Sequence, residues 1–156
     1  MVVNVENVKI YLSGGMENLN FEEQSKWRQQ IQDAIKFNYE CEKNPIFFNP
    51  VNHYNFEEKR QHSEREVMEF DLNALRKSDL VIVNFNDPKS VGTISELAIA
   101  YDMKIPIVGI NKDGYELHPW LTEFVGRMCY SIREAVEYIV DFIQGHSLPR
   151  QYSGAY

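Results

Sequence analysis

The chain has 156 residues, a net charge of −7, 44% hydrophobic and 25% charged residues, which is ordinary composition for one globular domain with a core of its own. It carries no Lys/Arg run that would track a phosphate backbone, which argues against a nucleic-acid polymer as partner and leaves a single nucleotide open. No stretch approaches the ~18 apolar residues of a membrane span, the start MVVNVENVKIYL has no basic and apolar signal regions, and Cys41 and Cys129 form no CxxC, so free thiols in a reducing cytoplasm are expected.

Val8 to Leu12 alternates and is rich in β-formers, predicting a first strand that Ser13-Gly14-Gly15 stops. Asn20 with Glu23 has the spacing of a capping box, and Trp27, Ile31, Ala34 and Ile35 then predict a helix over 21–37. Ile46-Phe47-Phe48 predicts a short strand ended by Asn49-Pro50, and 51–62 has no period and reads as a long polar loop. Ser63 with Glu66 starts a second helix, with Val67, Phe70, Ala74 and Leu75 on one side. Leu80 to Val83 is a continuous apolar run, the pattern of a strand buried on both faces. The loop Asn84 to Ser90 leads into a helix beginning VGTISELAIAY, apolar nearly all round and therefore expected to be buried. Ile105 to Ile110 predicts a strand and Lys112-Asp113-Gly114 a turn. A fifth strand is expected near Met128 to Tyr130, a last helix over 131–144, and a polar tail over 148–156.

Strands alternating with helices predict an α/β single domain over 1–156: a three-layer sandwich with an about five-stranded parallel sheet, flavodoxin-like or Rossmann-like. Ligands in such folds sit outside the carboxyl ends of the strands. Those ends are where this chain places its Gly, Asn and Asp residues.

Glu96 lies four residues after Gly92, near the mouth of its helix. An acid there stabilises a helix by about 0.3–1 kcal/mol without further role. On a buried helix it would instead face a cleft, and the helix end would lower its pKa and hold it ionised. An ionised, positioned carboxylate suits a nucleophile or an electrostatic stabiliser. Asp71 lies on or beside an apolar stripe, where an acid is costly unless it is paired, for instance with Arg76 or Lys77, or faces a cavity. Tyr11 is either core or an active-site hydroxyl. Gly14-Gly15 either lets a ligand approach or makes a tight turn, and no GxGxxG, Walker or nucleophile-elbow motif is present. His53, His62, His118 and His146 have no metal-ligand spacing, so neither metal nor cofactor is expected.

KIYLSGG, FDLNALRKSD, VGTISELAIAY and the terminal GAY, in this order, resemble the nucleoside 2-deoxyribosyltransferases. The Gly-x-x-x-Glu-Leu element, Gly92 to Leu97, is the most specific part. The resemblance implies that Glu96 attacks C1′ of a 2′-deoxynucleoside to give a covalent deoxyribosyl-enzyme, that a second nucleobase then takes the sugar with net retention, that Asp71 lies on the side of the leaving base and that Tyr11 holds the nucleophile. It implies substrate contacts at Ser13, Gly14, Gly15, Ser90 and Gly92, and a homo-oligomer whose neighbouring subunit completes the site, with Tyr156 at the terminal carboxylate and His118 and Trp120 in the contributing loop. The residues around His118 depart from the family's pattern.

A second departure concerns the substrate. Six residues before the nucleophile the transferases carry an Asp that binds the sugar 5′-hydroxyl. This chain has Ser90, as do the related 2′-deoxynucleoside 5′-monophosphate N-hydrolases, and a Ser can donate to a phosphate that an Asp would repel. Against this, the Gly-Gly loop has no adjacent Arg and the GAY tail follows the transferases. Three readings stay open: base exchange between deoxynucleosides, hydrolysis of a deoxynucleotide, and a nucleotide-sensing module without turnover on the same fold.

Overall fold

A computed structural model describes residues 5–38, 41–53 and 63–143. The tail 148–156 with Tyr156, His62, His146 and most of the 51–62 loop lie outside the described residues. The elements are β1 (Asn7–Gly14), α1 (Phe21–Asn38), β2 (Asn44–Phe48), a 3-10 turn (Pro50–Asn52), α2 (Glu64–Arg76), β3 (Leu80–Asn84), α3 (Val91–Asp102), β4 (Ile107–Ile110), α4 (Pro119–Phe124), β5 (Arg127–Cys129) and α5 (Ile132–Ile143).

The five strands form one parallel sheet in the order β2-β1-β3-β4-β5, the flavodoxin-like order with its switch point between β1 and β3. Alternation assigns the two faces. Val8, Ile10 and Leu12 of β1, with Leu80 and Ile82 of β3, pack under Trp27, Ile31 and Ile35 of α1 and Val136, Ile139 and Val140 of α5. Tyr11, Val81 and Val83 face the other way, into a second core with Leu75 of α2, Leu97 and Ala100 of α3 and Leu121 of α4. The expected both-sided burial of Leu80 to Val83 is complete.

Local chemistry sets the element ends. Asn20 Oδ1 accepts from Glu23 N at 2.8 Å, and Ser63 and Glu66 form the reciprocal capping box that starts α2. Asp79 Oδ2 accepts from Lys9 N at 2.9 Å and ties the head of β3 to β1. The turn after β4 needs Gly114, whose φ is +66°.

Two expectations are corrected. β1 does not stop at Leu12: Ser13 and Gly14 continue it, opposite Val83 and Asn84. The helix α3 is not buried all round. Leu97 and Ala100 are buried, but Val91 is 72% and Tyr101 56% exposed, because only one side of α3 meets the sheet. The six-residue α4 has no sequence expectation behind it. It is too short for an apolar period, and its start is set by Pro119 and by His118 Nδ1, which accepts from Trp120 N at 3.1 Å.

Candidate active site

At the carboxyl ends of β1 and β3 lies a cleft of ≈ 1170 Å³ whose walls include Gly14, Gln24, Asp71, Ser90, Gly92, Thr93 and Glu96. On α3 the spacing of Gly92, Thr93 and Glu96 puts all three on one face. A side chain on Gly92 would meet nothing within 4 Å, so this turn of the helix lies open to the cleft. Gly92→Ala is therefore expected to raise stability by about 0.5–1 kcal/mol, the helical preference for Ala over Gly, while its methyl crowds the cleft. A higher melting temperature together with a higher KM would confirm this.

Ser90 caps α3. Its Oγ accepts from Thr93 N at 3.4 Å and from Thr93 Oγ1 at 3.1 Å, which leaves its own proton free to donate into the cleft. Glu96 sits six residues further on, past the first turn where the helix dipole acts. The expectation that the helix end holds it ionised is overturned. Burial pushes the Glu96 carboxyl up to about 8, and the Asp71 charge adds to the rise; the Tyr11 hydroxyl and the Arg28 charge oppose it. The residue as a whole is half-buried, yet its Oε2 is closed to solvent.

Each partner of Glu96 comes from a different element. Tyr11 is fully buried near the end of β1 and stacks on Phe48 of β2 at 5.2 Å, which in turn stacks on His53 at 4.9 Å. It is therefore a core ring whose hydroxyl also acts on the Glu96 carboxyl. Asp71 reaches the cleft from α2. Phe70 beside it is 49% exposed and closes on Phe48 and His53 at 5.8 and 5.4 Å.

The double glycine is a packing requirement. A Cβ on Gly14 would lie 2.8 Å from the Trp27 ring, and one on Gly15 2.7 Å from Asp87 Cβ. Gly15 N donates to Asn86 Oδ1 at 2.9 Å. Ser13 is buried with its Oγ lacking a hydrogen-bond partner among the described residues. His118 and Trp120 are not in this cleft. They line a separate ≈ 870 Å³ cavity with Asn86 to Lys89, Ile94 and Phe124.

Sequence reasoning missed Gln24 and Arg28. Both are buried on α1, on the rim of the helix stripe that carries Trp27 and Ile31. Gln24 Nε2 donates to Met16 O and Leu19 O at 2.7 and 2.8 Å, bracing the loop after Gly15. Arg28, remote in sequence from the Gly-Gly loop, lies against it in space and donates to Gly14 O at 3.2 Å. Polar residues four apart beside an apolar stripe were the available signal.

Residues 7–114 match the pattern of the family described as nucleoside 2-deoxyribosyltransferase like. The chain belongs to that family. No curated protein matches it in sequence. Its fold is shared by a conserved protein of Enterococcus faecalis V583 (TM-score 0.69, 18% identity, 87% of this chain and 99% of the other covered). It is also similar to a 2-deoxyribosyltransferase of Bacillus psychrosaccharolyticus (TM-score 0.66, 16% identity, 92% and 96% covered). A CMP N-glycosidase of Clostridium botulinum is more distant (TM-score 0.51, 16% identity, 84% and 97% covered). At these identities the likeness is one of fold. The family match spans β1 to the turn at Gly114, and so contains every cleft wall described above. Among the described residues no helix of this family member is long and apolar enough to cross a membrane.

Proposed function

We propose that this protein is a nucleoside 2-deoxyribosyltransferase that breaks the N-glycosidic bond of a 2′-deoxynucleoside through a deoxyribosyl ester on Glu96 and passes the sugar to a second nucleobase. The observation that carries this reading is the charge of the cleft. Its described walls hold Glu17, Glu64, Asp71 and Glu96 and no Lys or Arg, which suits a neutral nucleoside better than a phosphate dianion.

Two carboxylates in one cleft, one of them with an oxygen closed to solvent, do not both ionise cheaply. The raised pKa of Glu96 beside Asp71 means that the pair keeps one proton at neutral pH, which is the proton the leaving base needs. For reaction that proton has to pass from Glu96 to Asp71, which leaves Glu96 as the carboxylate. A Glu96 oxygen bonds to C1′ as the C1′–N bond breaks, its electron pair goes to the base nitrogen, and that nitrogen takes the proton from Asp71. In the second half the incoming base bonds to C1′, Asp71 takes its proton, and Glu96 leaves as carboxylate. The two inversions give retention. The Tyr11 hydroxyl orients Glu96, and Ser13, Gly14, Gly15, Ser90 and Gly92 shape the sugar side. We assign His118, Trp120 and Tyr156 to completing the site across a homo-oligomer, and the reaction to nucleobase salvage in the cytoplasm.

Incubation with deoxyinosine and free adenine should yield deoxyadenosine. No exchange with any pair of purine or pyrimidine bases would contradict transfer. A second reading, hydrolysis of a 2′-deoxynucleoside 5′-monophosphate, is favoured by one observation: the Ser90 hydroxyl, a group able to donate to a phosphate, stands at the N-terminus of α3 on the cleft wall. Base release from a 5′-monophosphate but not from the nucleoside would establish it. A binding module without turnover predicts neither, with ligand binding that survives Glu96→Ala.

A further inference from the structure

Arg28 is a fully buried side chain of α1. Its guanidinium lies on the face of the Trp27 ring, 4.7 Å from the centroid, and spends its hydrogen bonds on three backbone carbonyls. It donates to Leu12 O at 3.4 Å, to Gly14 O at 3.2 Å and to Gln24 O. These carbonyls belong to the carboxyl end of β1 and to the residue that braces Met16 and Leu19, so Arg28 joins the strand end, the loop and the helix that together make one wall of the cleft. Carbonyl dipoles solvate a buried cation without cancelling its charge, and a buried charge is costly unless an opposite one faces it. The groups whose charge acts on Arg28 are the carboxyls of Glu96 on α3 and Asp71 on α2, which carry one negative charge between them at neutral pH, with the Tyr11 phenol on β1. Burial lowers Arg28 only to about 10, so it stays protonated at neutral pH.

We propose that Arg28 is a positioning residue for this site: from beneath the cleft it pins the wall that carries Gly14 and supplies the positive charge against which Glu96 and Asp71 work. Glu17 and Glu64 are the other acids on the cleft walls. The proposal deepens the transferase reading and rests on it for its kinetic arm only.

The test compares wild type, Arg28→Lys and Arg28→Met by NMR titration of ¹³C-labelled Glu carboxyls, with Glu96 assigned through Glu96→Gln, and by the pH profile of kcat/KM. Arg28→Met should raise the Glu96 midpoint by about one pH unit, the scale of a lost nearby charge, and move the alkaline limb of the profile with it. Arg28→Lys should restore the midpoint, because it keeps the charge, but not KM, because an ammonium cannot span the three carbonyls. An unmoved midpoint in Arg28→Met, or a midpoint that Arg28→Lys fails to restore, would reduce Arg28 to a structural side chain and overturn the proposal. Should Arg28→Met not fold, the ¹⁵Nε resonance of Arg28 decides the matter without a substitution there. It should track the Glu96 titration in the wild type and stay flat in Glu96→Gln, and a wild-type resonance that ignores that titration overturns the proposal. If the wild type shows no turnover, the transferase reading fails while the two NMR arms still judge Arg28.

Discussion

Glu96→Gln should lower turnover by about 10⁴-fold or more while making the folded protein more stable in alkali. The loss follows from removing the only group proposed to bond to C1′; knocking out a nucleophile leaves the catalysis due to positioning alone. The gain follows from linkage. In the folded protein the Glu96 pKa is about 8 against an ordinary 4.5, so the folded state binds the proton more tightly than the unfolded chain does. The stability tied to that proton is fully present below the unfolded pKa and is lost as pH rises through about 8. Glutamine has no proton to lose. The gap between variant and wild type should thus be small near pH 5 and widen by about 1 kcal/mol per pH unit up to the folded pKa. Chemical denaturation at a series of pH values measures it, and a gap independent of pH would mean that Glu96 is not held in its acid form by the fold.

Asp71→Asn carries the second large effect. The amide cannot hand a proton to the departing base, so kcat should fall by about 10²–10⁴-fold, the range for a lost general acid, and least for bases that leave readily as anions. The pH profile should also change shape. In the wild type activity falls as pH rises through about 8, where the pair loses its last proton. Without the Asp71 charge the Glu96 pKa drops and there is no acid left to lose. The residual activity should then rise with pH, with a midpoint below about 8, instead of falling there. A variant profile that keeps the wild-type fall near pH 8 would remove Asp71 from the proton path.

The order of strands and helices was legible because each buried surface left a period in the chain. The run Leu80 to Val83 matched a strand covered on both faces, and Ser63 with Glu66 marked the start of α2 through side-chain reach alone. The short α4 left no such trace, since six residues make less than two turns of stripe. Ser90, Gly92 and Glu96 were legible as cleft walls because they follow the carboxyl end of β3, and Asp71 because it is an acid beside the apolar stripe of α2. The state of Glu96 was not. A helix start suggests an ionised acid, whereas burial among elements distant in sequence decides for the acid form. Arg28 was hidden for a related reason. One position past Trp27 it reads as the polar edge of an amphipathic helix, and only the close approach of α1 to Gly14, 2.8 Å from the Trp27 ring to a would-be Cβ, turns that edge inward.

Trapping the proposed ester tests the account at its centre. A 2′-fluoro-2′-deoxynucleoside slows departure of the sugar from the enzyme, because fluorine destabilises the oxocarbenium-like transition state. Intact mass after incubation should increase by one fluorodeoxyribosyl group. Peptide mapping should place that group on Glu96, and the Glu96→Gln protein should remain unmodified. Release of the base with no adduct on the protein, or an adduct on another residue, would contradict the assignment of Glu96 as the nucleophile.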